Sequence, residues 1–332
     1  MWKKVVIGLV VLVTIGLAAY VWLVAPVQRY QDPAETTPAQ PGGWRCVTSL
    51  PTQRSELGTA VLDGRIYVAG GMNRWGRSAA FEVYEPVPNA CRQLAAFPLA
   101  LNHLLGIAAA KGRIYVAGGY RDLFLSQSVS DAWAYEPTAN AWTRIAALPG
   151  PRAAHVMVSL DEKLFVVGGV GSDSSALWVY DPATNTWDTT RARMPTEREH
   201  AAVAVVAGKL YVISRRRGMA ENFAAVEVYD PLTNTWTRKR DIPMARGGLT
   251  AAVLDGLIHV TGEGFHPNRT FNQYDLYDPV TDTWSALASL PTARHGLGSA
   301  VVDERWYVIG GASRPGFVTP ISATAFVDAF SP

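Results

Sequence analysis

The strongest constraint on this chain is that it repeats itself. An apolar stretch ending in a glycine pair, RIYVAGG at residues 65–71, returns at 113–119, 163–169, 209–215, 257–263 and 305–311. The last residues of these stretches lie 48, 50, 46, 48 and 48 apart. A second stretch, of the form Tyr-Asp-Pro-x-Thr-Asn-x-Trp, occupies 84–91, 135–142, 180–187, 229–236 and 277–284. Units repeated at a fixed period cannot bury their apolar faces alone and must stack on one another. Each unit reads as four short strands. In the third they are 153–159, 163–167, 177–180 and one starting at Trp187, with turns at Asp161-Glu162 and 182–185. Aromatic and β-branched residues fill the strands, as sheets packed between neighbouring sheets require. The glycine pairs suit a crowded position or a positive φ.

Four-stranded units of about 50 residues, packed radially, predict an all-β propeller. Its ends suggest how it closes. Residues 327–332 (VDAFSP) match 226–231 (VEVYDP) up to the third strand, and the partner for a fourth lies at the front, where 44–51 (WRCVTSLP) match 142–149 (WTRIAALP). The N-terminal segment is therefore expected to supply the outer strand of the last blade, leaving no open sheet edge at the seam. Six glycine-pair positions then mean six blades.

The double glycine, the tyrosine and the tryptophan, in this order and spacing, resemble the kelch-repeat β-propeller family over residues 43–332, and more distantly the bacterial periplasmic sialic-acid mutarotases built on six kelch blades. The pattern departs at Ser214-Arg215 and Gly262-Glu263, which replace glycine pairs, and at Cys91, which replaces a tryptophan. These substitutions bear on local turns and leave the architecture intact.

Residues 1–4 (MWKK) precede an unbroken apolar run at 5–24. Twenty helical residues at about 1.5 Å each span a bilayer core, so the run is expected to be a transmembrane signal anchor. Lys3 and Lys4 would stay on the cytoplasmic side, placing the propeller outside the inner membrane, in the periplasm. A cleaved signal peptide is the competing reading, but the run is longer than a usual apolar h-region, and its best small-residue site, at 16–18, lies inside the run. Residues 25–42 are proline-rich and read as a semi-extended linker.

A net charge of +2 gives no case for a nucleic-acid partner. Two cysteines, Cys46 and Cys91, are too few for a disulfide scaffold or a four-ligand zinc site, and pairing between them is not expected. No metal or cofactor motif stands out, and no Ser-His-Asp spacing or phosphate loop. The six histidines, His103, His155, His200, His259, His266 and His295, fall about one per unit and read mainly as structural. His259 stands where other repeats carry Tyr or Phe.

The distance from each glycine-pair position to the next repeat tyrosine (Phe330 in the last unit) is 13, 16, 11, 14, 14 and 19, so length variation gathers on one face. Loops free to vary on a rigid frame are where recognition usually lies. They carry the candidate ligand-binding residues Arg74, Trp75, Arg77, Arg121, Arg215, Arg216, Arg217, Phe265, His266, Arg269 and Arg314. Guanidinium forks match carboxylates, and aromatic faces stack on sugars or peptides. A basic pocket for a sugar acid or an acidic peptide is one reading, and a solvated arginine-rich surface is the other. A second ring, seventeen residues before each glycine-pair position, holds Arg54, Asn102, Arg152, Arg198, Arg246 and Arg294. It reads as structural, because the kelch pattern carries an arginine there.

Three functions follow: a binding or protein-interaction module, which leads; a sugar-acid mutarotase-like enzyme; and a structural envelope component. In the enzyme, Glu56, Glu199, Glu221 or Glu263 would act as acid or base beside arginine. The copper oxidases of related fold need a cysteine-modified tyrosine, and neither cysteine here is set for one.

Overall fold

The computed structural model describes residues 43–103, 106–217, 221–266 and 269–332, with the side chains of 215–217, 263–266, 269 and 317 left aside. The anchor at 5–24 and the linker at 25–42 lie outside the described residues. Among those described, no helix is long and apolar enough to cross a membrane.

Six antiparallel four-stranded sheets surround one axis. Blade 1 is Gly58–Leu62, Arg65–Ala69, Phe81–Glu85 and Ala90–Gln93. Blade 2 is Ile107–Ala110, Arg113–Ala117, Ala132–Glu136 and Ala141–Arg144. Blade 3 is Val156–Leu160, Lys163–Val167, Trp178–Asp181 and Thr186–Asp188. Blades 4 and 5 follow the same order from Ala202–Val206 to Thr235–Lys239 and from Thr250–Leu254 to Thr283–Leu287. Blade 6 is Gly298–Val302, Arg305–Ile309, Phe326–Ser331 and, outermost, Gly43–Ser49. Trp44 pairs with Phe330 across that seam, as the matching ends of the sequence predict. The first strands of successive blades adjoin in cyclic order, blade 6 returning to blade 1. In blade 3 the first strand begins at Val156 rather than residue 153, because Arg152–Ala153 pairs separately with Val170–Gly171.

The core is distributed between blades. Tyr67 and Phe81 of blade 1 pack against Ile114 and Tyr135 of blade 2, and equivalent clusters fill each remaining seam.

The Tyr–Asn–Trp pattern locks each blade to the one before it. Tyr180 donates its hydroxyl to Asn185 Oδ1 at 2.8 Å, and the same oxygen accepts the Ala146 N–H at 2.8 Å. Trp187 Nε1 then donates to the Ala146 carbonyl at 3.0 Å. The set recurs at Tyr135–Asn140–Trp142, Tyr229–Asn234–Trp236 and Tyr277–Asp282–Trp284. Where Cys91 replaces tryptophan, Asn89 Nδ2 reaches the Val47 carbonyl at 2.9 Å instead. Cys46 and Cys91 are both free thiols.

The glycine pairs are a packing requirement. Gly168 and Gly169 both hold positive φ, and a Cβ on Gly169 would meet the Ala153 carbonyl oxygen at 2.6 Å. In blades 4 and 5 only the first position keeps that conformation (Ser214 at φ 57°, Gly262 at φ 84°). Arg215 and Glu263 return to the strand, so Lys209–Arg217 with Glu221–Asp230, and Leu257–His266 with Arg269–Asp278, run on as long bulged hairpins.

Candidate functional site

The segments entering each first strand lie at the same end of the molecule as the loops that follow the second strands, because the two pair: Ser55 with Met72, Asn102 with Tyr120, His295 with Ala312. This loop-bearing end has a buried layer, a hub on the axis and a rim.

The buried layer is the arginine ring. Arg54, Arg152, Arg198, Arg246 and Arg294 are buried, as is Asn102. Four arginines meet a carboxylate two residues before the repeat tyrosine or phenylalanine of their own blade. Arg54 pairs with Glu82 at 2.5 Å, Arg198 with Glu227, Arg246 with Asp275 and Arg294 with Asp328. Arg152 is the exception, since Trp178 occupies that register. Its guanidinium lies 3.5 Å from the Trp178 ring centroid and donates to the Ala176 and Ser172 carbonyls, and burial pushes it down to about 10. Charges buried this way endure only when paired and hydrogen-bonded. The five arginines therefore join the strand-1 entry to strand 3 or the loop before it inside blades 1, 3, 4, 5 and 6, whereas Asn102 of blade 2 reaches the Asp122 carbonyl.

Just past these arginines the six entry segments form a hoop. The N–H of Glu56 donates to the Gly296 carbonyl at 2.8 Å, Gly296 to Gly248 at 3.1 Å, Gly248 to His200 at 3.2 Å, His200 to Ala154 at 3.0 Å, and Ala154 to His103 at 3.3 Å. All six residues have positive φ, between 50° and 74°. Beyond the hoop a channel of about 310 Å³ runs between the first strands, lined by small apolar side chains with Thr59, Ser159, Thr250 and Ser299 among them.

Three hoop positions carry ionisable side chains where the others have only Ala or Gly. His103 Nε2 lies 3.8 Å and His200 Nε2 3.9 Å from Glu56 Oε2. From blade 6, His295 Nε2 lies 3.8 Å from Glu56 Oε1 and 3.1 Å from Thr319 Oγ1. Glu199 Oε2 stands 3.7 Å from the other nitrogen of His200. All five groups are buried. Sequence reasoning named Glu56 and Glu199 as acid–base candidates but read the histidines as structural. The available signal was their place, one or two residues past the arginine-ring position in four different repeats. Of the remaining acid–base candidates, Glu221 is exposed at the start of its hairpin, and the Glu263 side chain is outside the described set.

The other described histidines sit apart from this cluster. His155 is buried beneath Gly106, Gly118 and Gly169, and burial lowers it to about 3. His259 contacts the Tyr274 hydroxyl in the seam between blades 5 and 6, and burial lowers it to about 4.

The rim carries the loop candidates. Trp75 tops the Met72–Arg77 hairpin with 89% of its surface exposed, and Phe124 on the neighbouring blade-2 loop is 92% exposed. The two loops adjoin, since a Cβ on Gly76 would lie 3.9 Å from Leu123 Cδ1. Arg77 donates to the Ala100 carbonyl at 3.0 Å, and Arg121 lies 3.5 Å from Asp131 while remaining about half exposed. Arg74 and Arg314 are half-buried. Arg215, Arg216, Arg217, Phe265, His266 and Arg269 fall on the two long hairpins, their side chains outside the described set.

Comparison with known proteins fits this architecture. The KLHDC2/KLHL20/DRC7 Kelch-repeats domain model matches residues 147–311, and the Kelch motif model matches 53–98 and 103–149. Kelch-like protein terF of Aspergillus terreus is 27% identical over 245 residues, covering 67% of this chain and 53% of that protein. Kelch-like protein 24 of Rattus norvegicus is 32% identical over 178 residues, 54% of this chain and 28% of its own length. Beta-scruin of Limulus polyphemus is 28% identical over 133 residues, 38% of this chain and 14% of that protein. The chain thus spans about half or less of the curated relatives it matches. Among solved structures, that of YjhT superposes with a TM-score of 0.74 at 18% identity, covering 86% of this chain and 96% of YjhT, a likeness of fold. With the repeat, the closed ring and these matches in agreement, the chain belongs to the kelch-repeat β-propeller family.

Proposed function

We propose that this chain is a ligand-binding propeller that takes a small anionic molecule, such as a sugar acid or the acidic side of a peptide, on its loop-bearing rim. The observation that carries the reading is the placement of two nearly fully exposed aromatics, Trp75 and Phe124, on the same two adjoining loops as Arg77 and Arg121. Exposed aromatic rings beside guanidinium groups offer a stacking face and a carboxylate fork within one surface. The second reading, a sugar-acid mutarotase, draws on Glu56 and the imidazoles around it. It is the weaker one, because Glu56 and His103 are only 4% and 3% exposed, too enclosed for a sugar's anomeric carbon to reach. The tether at 5–24 would hold the rim outside the inner membrane, an orientation that protease accessibility in spheroplasts checks.

The test is a binding panel of uronic acids, sialic acids and acidic peptides against the native chain and the Trp75→Ala plus Arg121→Ala variant. Saturable binding to one panel member, weakened tenfold or more in the variant, is the expected result. No binding across the panel, or binding untouched by the variant, contradicts it. Anomer exchange followed by proton NMR separates the mutarotase reading: exchange accelerated by the native chain and lost in Glu56→Gln would install the enzyme instead.

A further inference from the structure

The hub holds a cluster for which neither the kelch pattern nor the rim gives a role. One ligating atom each from Glu56, His103 and His200 all lie within 4.8 Å of one another, and the three residues are buried. Their separations, 3.8 and 3.9 Å from Glu56 Oε2 to the two imidazole nitrogens, exceed hydrogen-bond length. A tetrahedral zinc ion, with bonds of about 2.0–2.1 Å, sets neighbouring ligand atoms about 3.4 Å apart. To close around such an ion the two Glu56 contacts would shorten by about half an ångström, and the two imidazole nitrogens, within 4.8 Å of each other, by up to about 1.4 Å.

The left-handed backbone of the three residues, φ 53°, 50° and 53°, is a property of the hoop that Ala154 shares at φ 53°. One further observation bears on the cluster. His200 turns one nitrogen toward Glu56 and the other toward Glu199, 3.7 Å away. A carboxylate behind a histidine, opposite its ligating nitrogen, orients imidazole on a metal once the two close from 3.7 Å to hydrogen-bond length.

We propose that Glu56, His103 and His200 form a divalent transition-metal site of the zinc class at the hub, with Glu199 orienting His200. Three protein ligands leave a fourth position for water or an anion. Two imidazoles and a carboxylate favour zinc, cobalt or nickel over calcium or magnesium, which take oxygen-rich shells. His295, on the other oxygen of Glu56, stands ready as an alternative fourth ligand. The site stands independently of the rim reading, since its assay uses the metal alone.

The experiment uses the full chain, purified in detergent without a histidine tag and stripped with chelator. Titration with Zn²⁺ is followed by calorimetry, and titration with Co²⁺ by its visible spectrum. One equivalent of zinc, with a cobalt spectrum of tetrahedral nitrogen–oxygen coordination, is expected. Glu56→Gln and His200→Gln should each weaken zinc binding at least 100-fold, and Glu199→Gln about tenfold, while His259→Phe leaves it unchanged. Absence of a saturable equivalent at 100 µM zinc, or binding indifferent to Glu56→Gln and His200→Gln, overturns the proposal. Where a variant does not fold, the cobalt spectrum of the native chain decides, and an octahedral, water-like spectrum counts against the site.

Discussion

Trp44 and Phe330 pack ring against ring across the seam where the outermost strand of blade 6 meets its third strand, centroids 5.4 Å apart and planes inclined at 54°, in directly opposed register. Trp44 also packs on Trp306 and Tyr274, and its Nε1 donates to the Ala288 carbonyl of blade 5 at 2.8 Å. One side chain thus ties the N-terminal strand to two blades. Trp44→Ala should destabilise the propeller by about 3 kcal/mol in urea unfolding, and Trp44→Phe, which keeps the aromatic contact but not the donor, by about 1 kcal/mol. Hydrogen exchange should rise first in Gly43–Ser49 and Phe326–Ser331.

The buried arginines make a test of pairing. Removing one partner leaves an uncompensated charge, so Glu227→Gln should cost about 3–5 kcal/mol, whereas Arg198→Met together with Glu227→Leu should recover most of it. Arg152→Met should cost less than Arg198→Met, because the partners of Arg152 are carbonyls and the Trp178 ring and no carboxylate is stranded. Urea midpoints of the four variants check the order.

Two glycines separate conformational strain from crowding. Gly64 holds φ +69° with open space around it, and Gly64→Ala should cost only the left-handed backbone penalty, about 1 kcal/mol. Gly169 holds φ +97° with the Ala153 oxygen 2.6 Å and the His155 Cβ 2.7 Å from where a Cβ would sit. Gly169→Ala adds a clash against backbone and should cost about 3 kcal/mol or more in thermal unfolding.

His259 provides the pH test. Burial lowers its folded value to about 4, below the ordinary histidine value, so the unfolded chain takes the proton first. The stability held by the neutral ring is full above about pH 6.5, declines as pH falls toward 4 and is gone below it, a loss of about 3 kcal/mol. His259→Phe should flatten the urea midpoint over that window. At pH 7 it should be about 1 kcal/mol less stable than the native chain, having lost the contact with the Tyr274 hydroxyl.

The blades and their closure are legible in the sequence because they rest on contacts internal to one repeat or between neighbouring repeats. The Tyr180–Asn185–Trp187 bolt and the match of Trp44 to Trp142 both leave a signature within a few residues. The hub leaves a fainter one, a place one or two residues past the arginine-ring position. Glu56, His103, His200 and His295 come from four repeats at positions the pattern leaves free, and only the closed ring brings them together. The long hairpins of blades 4 and 5 leave a partial trace. Ser214 and Gly262 keep the left-handed turn, while Arg215 and Glu263, standing where the other blades have the second glycine, resume the strand, so the sequence marks where the turn changes but not how far the strands run on.

The most direct test of the rim as the recognition surface is hydrogen exchange of the full chain with and without the tightest-binding member of the anionic panel. Protection gathered at residues 72–77 and 121–127 is the predicted result. Protection confined to the Tyr-Asp-Pro turns at the opposite end, or spread evenly over the blades, would contradict it.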